Sequence, residues 1–291
     1  MTDLISKEKL PTAKRSWREM FYIYDIRYIH IFLMASLLMG GALFRDFSIV
    51  PLQVALTFVF GILSQAMFIR IFRIKNVGYL SAVITCFGIS LLLRSNHIWV
   101  HPLAIFLAIS SKFLIRFRGK HLLNPAMFAV LFAMNLLPAS WISPGQWGYD
   151  LAVLFWLLIF GFIVTARSRT LWIGLSFIGF YFGLLAIRVL YLGYHWDVWF
   201  HQFKSGSLLL FSFFMITDPK TSPDHPSGRL IHTGIVALIA FIWQYYFYFY
   251  HNLLYALLFA SPLVPLLDTY FKYEKFEWAG LVSDLTVHKG V

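Results

Sequence analysis

Two short stretches gather side chains that could do chemistry. The first, Thr217-Asp218-Pro219-Lys220-Thr221-Ser222-Pro223, ends a nearly pure apolar run from Leu208 to Ile216 and opens a polar loop reaching Arg229. Pro219 restrains Asp218 to an extended conformation and stops a helix there. A carboxylate, the hydroxyls of Thr217, Thr221 and Ser222, and free backbone N–H groups are offered together. That set could hold the sugar-like or heterocyclic part of a cofactor, or coordinate a cation. Its plainer reading is a loop that satisfies its own hydrogen bonds through Asx and Ser/Thr turns. The second stretch runs from Lys112 through Arg116, Arg118, Lys120 and His121 to Asn124-Pro125. Asn followed by Pro reads as a helix cap with proline at the first helical position. A helix start beside four cations suits an anion such as a phosphate. The plainer reading is basic anchoring in front of an ordinary cap.

Other groups offer less. Asp25 and Arg27 stand before the first apolar run, where they can pair or fix its entrance. Ser81, Thr85 and Cys86 lie inside the third run, where small polar groups mediate helix packing. His195, Asp197 and His201 match no strong metal-ligand spacing, and His30, His97, His101, His121, His232 and His251 are too scattered for a bis-imidazole haem. The single cysteine, Cys86, excludes disulfides and thiolate metal clusters within the chain.

The elements that must position these residues are set by composition. The 291 residues are 59% hydrophobic and 13% charged, with 31 Phe, 15 Tyr and 10 Trp, and the mean hydropathy is +0.72. Soluble domains carry about 25% charged residues, so the chain reads as an all-α polytopic membrane protein. The net charge of +11 is then a topology signal rather than a nucleic-acid footprint. Apolar runs fall at 29–44, 50–69, 79–93, 98–113, 124–138, 149–165, 171–192, 206–217, 230–250 and 252–270, which predicts about ten transmembrane helices. Numbering the loops alternately from a cytoplasmic N-terminus puts 20 of the 24 Lys and Arg inside. Only Arg45, Arg94, Arg188 and Lys204 fall outside. A miscounted helix would spoil that split, so both termini are expected in the cytoplasm. Ten helices also divide into five and five, and an odd number per half would give an inverted repeat. The expected layout is a cytoplasmic tail over 1–28, a bundle over 29–270 and a second tail over 271–291. The polar, basic start shows no signal peptide.

At the two clusters the sequence resembles a known family. Phe214-Met215-Ile216-Thr217-Asp218-Pro219-Lys220-Thr221-Ser222-Pro223 resembles its most recognisable motif, and Ser111-Lys112 through Arg118-Gly119-Lys120-His121 to Asn124-Pro125-Ala126 its second. Tyr24-Asp25-Ile26-Arg27 and Ser81-Ala82-Val83-Ile84-Thr85 resemble two further stretches. The family is a membrane component of flavin-based respiratory complexes: the B subunit of the sodium-translocating NADH:quinone reductase and the D subunit of the Rnf electron-transport complex. Its members carry FMN attached through phosphate to a threonine of a Ser-Gly-Ala-Thr sequence after the seventh helix. Here the stretch from Gly193 to Ser207 contains no threonine, and Ser205-Gly206-Ser207 is a fragmentary likeness. The chain therefore resembles a divergent member without the attachment site, and the family's fold is itself similar to urea-transporter-like bundles.

The resemblance implies an electron-transfer subunit of a bacterial inner membrane that holds riboflavin or FMN noncovalently and works with other redox subunits, with quinone as a possible electron partner. Asp218, Thr217, Thr221 and Ser222 would face the flavin, Asn124 would hold a helix start beside it, and Arg116, Arg118 or Lys120 would meet a phosphate or a partner. Two alternatives stay open: a transporter of a small polar solute or cation, and a cofactor-free structural subunit of a redox complex.

Overall fold

The computed structural model describes residues 25–44, 48–74, 78–142 and 151–276. Every apolar run is helical: α1 (Ile26–Phe44), α2 (Pro51–Ile71), α3 (Leu80–Leu92), α4 (Val100–Leu114), α5 (Pro125–Leu136), α6 (Leu151–Arg167) and α7 (Leu171–Leu192) come first. A short helix that the hydropathy pattern did not mark, α8 (Trp196–Phe203), precedes α9 (Gly206–Leu210), which continues as a π-helical turn over Phe211–Met215. Then come α10 (Pro226–Tyr245), α11 (Asn252–Ala260) and α12 (Leu263–Tyr270). The first helix starts at Ile26 rather than at 29, and the last apolar run is two helices bent by 46°. Two antiparallel strand pairs close the loops. β1 (Leu93–Ser95) pairs with β4 (Ser140–Ile142), and β2 (Arg116–Phe117) forms a hairpin with β3 (Lys120–His121).

The chain is a multi-pass membrane protein, but its helices are not all full crossings. Among the described residues α1, α2, α7 and α10 are long and apolar enough to span, and α11 with α12 makes a fifth if the bent pair counts as one. The remaining apolar helices are 10–17 residues long. At 1.5 Å per residue a helix of 13 residues covers about 20 Å of a hydrocarbon core about 30 Å thick. Irregular backbone at depth is tolerated where protein surrounds it. Accordingly α3 is buried along nearly all of its second half, from Thr85 to Leu92, while long helices expose Phe32, Leu63 and Leu190.

The same order of packing recurs in two halves. In the first, α2 lies most extensively against α4, α4 against α5, and α1 against α3; in the second, α7 lies against α10, α10 against α11, and α6 against α9. If each of the five apolar helices of the first half carries the chain across, the second half starts in the opposite direction, the geometry of an inverted repeat. One end of the bundle carries the β2–β3 hairpin and the 216–225 loop. The other carries the β1–β4 pair and α8. Of the described lysines and arginines, Arg94, Arg188 and Lys204 lie toward the β1–β4 end and the rest toward the hairpin end.

Candidate functional site

α9 positions both candidate regions. Its second turn widens to a π-helix in which the Ile216 N–H reaches the Phe211 carbonyl at 3.1 Å. Two glycines admit it closely. A Cβ at Gly174 of α7 would stand 2.5 Å from the Ser212 carbonyl oxygen, and one at Gly161 of α6 would stand 2.7 Å from the Phe213 side chain. The hydroxyls on this turn bond backward along the helix, Ser212 Oγ to Leu208 O and Thr217 Oγ1 to Phe213 O, each at 2.6 Å. Such wide turns recur at functional sites. Here it sets where the helix stops and how Asp218 leaves it.

Beyond the stop, the loop folds on itself. Asp218 Oδ1 accepts from the Lys220 N–H at 3.0 Å, an Asx turn, and the Asp218 carbonyl accepts from the Thr221 and Ser222 N–H groups at 3.1 and 3.0 Å. Ser222 Oγ donates to the same carbonyl and to that of Ile216. Thr217, Thr221 and Ser222 are buried, and Asp218 keeps part of its surface open. Burial raises the Asp218 pKa, against the Lys220 N–H bond and the charges of Lys112 and Lys220.

The 112–124 stretch closes over this loop. Asn124 caps α5 by accepting from the Met127 N–H at 3.1 Å, and its Nδ2 donates to Met215 O at 3.3 Å, tying α5 to the end of the π turn. Lys112 is 4% exposed. Its ammonium donates to Thr85 Oγ1 at 2.6 Å, to Ser81 O at 2.9 Å and to Ser81 Oγ at 3.2 Å, which occupies all three protons. Ser81 and Thr85 thus hold a buried cation as well as packing α3. His121 Nδ1 donates to Lys112 O at 3.1 Å. Burial, then the charges of Lys112 and Arg116, push its pKa down to about 3, so the ring is neutral.

Lys120 makes the strongest link. It donates to Asp268 Oδ2 at 2.8 Å and to Ser222 O at 2.7 Å, and pairs with Asp224 Oδ1 at 3.1 Å. Asp268 Oδ1 in turn accepts from the Asp224 N–H at 2.8 Å. The hairpin, the loop and α12 are therefore joined through one ammonium. Asp224, which in sequence looks like an unconstrained loop acid, is 6% exposed and ion-paired. Removing one member of so enclosed a pair costs about 3–5 kcal/mol. Arg116 and Arg118 point outward and bond to neutral partners, Gly119 O at 3.0 Å and Thr269 Oγ1 at 3.1 Å. The cavity beside Lys120 and Asp268 holds about 130 Å³.

A larger cavity, about 660 Å³, lies along α9 toward the β1–β4 end. Tyr181, Phe211 and Phe249 supply aromatic walls. Gln202, Ser205, Ser207, Gln244 and Asn252 supply polar groups, and Met215 lines the end nearest the Asn124 contact. Among the described residues no Lys or Arg lines it, and His251 is its one histidine. Asn252 Nδ2 donates to Ala240 O at 2.9 Å, fixing the start of α11 against α10. Sequence reasoning passed over this cavity. Its signals were the run Tyr245-Tyr246-Phe247-Tyr248-Phe249-Tyr250 and the Ser205-Gly206-Ser207 fragment. His195 and Asp197, at the start of α8, are 93% exposed and 3.8 Å apart.

Residues 143–277 match a protein-family model described as the NQR2, RnfD, RnfE family. Over 69 residues the chain is 36% identical to the D subunit of the ion-translocating oxidoreductase complex of Haemophilus ducreyi, 24% of this chain and 20% of that protein. It is 35% identical over 69 residues to the protein of the same name from Actinobacillus pleuropneumoniae serotype 5b, again 24% and 20% of the two chains. The like-named protein of Haemophilus influenzae strain PittEE is 32% identical over 69 residues, 24% of this chain and 19% of that one. The matched segment spans about a fifth of these curated relatives. The matches bear out the resemblance seen in the sequence.

Proposed function

We propose that this chain, whose residues 143–277 match the NQR2, RnfD, RnfE family model, is a membrane subunit of a redox complex that holds a noncovalent flavin in the cavity beside α9. The curated relatives are named as subunits of an ion-translocating oxidoreductase complex, which supports other redox subunits as partners and a bacterial membrane as the setting. The cytoplasmic membrane, cytoplasmic termini and quinone as an electron partner belong to the same proposal.

The observation that carries the flavin is the cavity itself. A flat heteroaromatic ring needs apolar walls and a few convergent polar groups, in a space of about 300–1,000 Å³. The cavity of about 660 Å³ offers Phe211 and Tyr181 as walls and Gln202, Gln244 and Asn252 at its edges. The 130 Å³ space at the hairpin end falls below that range, and Asp218, Thr217, Thr221 and Ser222 spend their hydrogen bonds on their own backbone. We therefore assign those residues, with Asn124, to positioning the floor of the cavity through Met215 rather than to touching the ring. A lining without Lys or Arg leaves a phosphate dianion uncompensated, which favours riboflavin over FMN. A flavin bound there would supply one- and two-electron transfer. The protein's part is to exclude water, orient the ring and fix its edge.

The purified protein is expected to show flavin absorbance and to release the colour on acid denaturation. A pellet that stays yellow would overturn noncovalent attachment. A protein that remains colourless after gentle purification with added riboflavin would turn the assignment to its second reading, transport of a small polar solute or cation. The interrupted α9 and the bent α11–α12 pair favour that second reading. A colourless protein without uptake activity would leave a structural subunit.

A further inference from the structure

We propose that the β2–β3 hairpin and the 272–276 segment after α12 form a docking surface for the acidic face of a soluble electron-carrying protein. The proposal rests on the redox-complex reading above and names the partner chemistry for it. Three cations of the surface, Arg116, Arg118 and Lys275, are exposed and, among the described residues, bond only to neutral groups, with Lys275 Nζ donating to Arg118 O at 3.1 Å. Lys272 is exposed beside them. The nearest buried acids, Asp224 and Asp268, share the single ammonium of Lys120, which leaves one net negative charge against the four cations Arg116, Arg118, Lys272 and Lys275. Glu274 is the exposed acid of the 272–276 segment.

Basic anchoring alone does not require what stands among these charges. Phe117, 45% exposed, sits near the hairpin tip with the Arg118 guanidinium 5.3 Å from its ring centroid, and Tyr273 is 60% exposed. The tip is rigid. Arg118 and Gly119 take φ of 47° and 88°, the left-handed pair of a tight two-residue turn. The Arg118 side chain is pinned to Thr269 of α12 and its carbonyl to Lys275. Exposed aromatic groups interleaved with cations match protein interfaces, and the charge complements an acidic partner, speeding encounter more than it deepens affinity. The hairpin lies past the end of α4 at Leu114 and the 272–276 segment past the end of α12 at Tyr270, which places the surface beyond the helix ends that meet lipid.

The test uses the full chain in nanodiscs of phosphatidylcholine alone, with a ferredoxin of net negative charge as probe. Wild type should bind it with an association rate that falls as ionic strength rises from about 0.05 to about 0.2 M. The combined Arg116→Gln, Arg118→Gln and Lys275→Gln variant should associate about tenfold more slowly and lose most of the salt dependence. The corresponding Arg116→Lys and Arg118→Lys changes keep charge and should keep the rate, which separates loss of charge from loss of fold. Equal rates for wild type and the glutamine variant would overturn the proposal. Binding that appears only when phosphatidylglycerol is added would also overturn it, assigning the patch to anionic lipid. Flavin content measured on the same samples keeps the two readings apart, since the glutamine variant should retain whatever flavin the wild type holds.

Discussion

Asp218 and Asp224 share one loop, yet their partners differ. Asp224 meets Lys120 at 3.1 Å, and its charge is offset. Asp218 meets only its own turn and more distant cations, and burial raises its pKa from the ordinary 3.8. The sign follows from linkage. Below 3.8 both folded and unfolded chains are protonated there and the site contributes nothing. As pH rises from 3.8 to the raised folded value, the unfolded chain ionises first and stability is lost; above that value the penalty is constant. Asp218→Asn keeps the Asx turn to Lys220 and removes the penalty. Thermal unfolding should therefore show it as stable as wild type or more so at pH 7, with less loss on raising the pH from about 4. Asp218→Ala loses the turn as well and should unfold earlier, by an amount corresponding to about 1 kcal/mol. Flavin content should follow the turn, near wild type in Asn and lower in Ala. An Asn variant that folds well but loses its flavin would give the carboxylate a direct role and return Asp218 to the ligand itself. Asp224→Asn is no neutral control, because it strips a buried ammonium of one partner.

At the scale of elements, the helices were legible and their depth was not. Apolar runs mark where helices are, because side chains in lipid or in a packed core must be apolar either way. They do not say which of the two surrounds a helix. α3 and α9 therefore read as membrane spans although they are short and enclosed. The hairpin link was invisible for another reason: Lys120 and Asp268 are 148 residues apart, and only the fold brings them to 2.8 Å. The large cavity is a space between distant segments, which no local pattern writes down. What did show locally were the Asn124-Pro125 cap, found as expected, and the stop at Pro219. The π turn of α9 depends on its neighbours having no side chain. Gly174→Ala presses a methyl against a backbone carbonyl that cannot rotate away, and should destabilise by about 1–3 kcal/mol while reducing flavin content. On the same helix, Gly183→Ala enters open space and should be neutral or stabilising by about 0.5–1 kcal/mol. A thermal melt of both variants checks this. Equal effects would mean that α9 does not depend on the close approach.

For the whole molecule, the two matching sets of helix contacts and the basic split make one statement about orientation. If the halves are inverted, every hairpin-end loop faces one compartment and every β1–β4-end loop the other; the proposed topology, with the excess of cations inside, puts the hairpin end in the cytoplasm. Ser222 is 1% exposed and too enclosed to report sidedness, and Ser143 lies outside the described residues. Ser227 and Asn96 are exposed at opposite ends and serve better. Asp46 and Asp150 also lie outside the described residues, as do residues 1–24 and 277–291 of the two tails. Cys86, the only native cysteine, is buried and should stay silent toward a membrane-impermeant thiol reagent. In intact cells Asn96→Cys should react and Ser227→Cys should not; in inverted vesicles the pattern should reverse. Reaction of both from one side would require an odd number of crossings between residues 96 and 227 to become even, which breaks the five-and-five arrangement. Opposite sides with the polarity exchanged would keep the inverted halves. It would also move the hairpin surface out of reach of any cytoplasmic electron carrier, so this one measurement bears on the architecture and on the partner together.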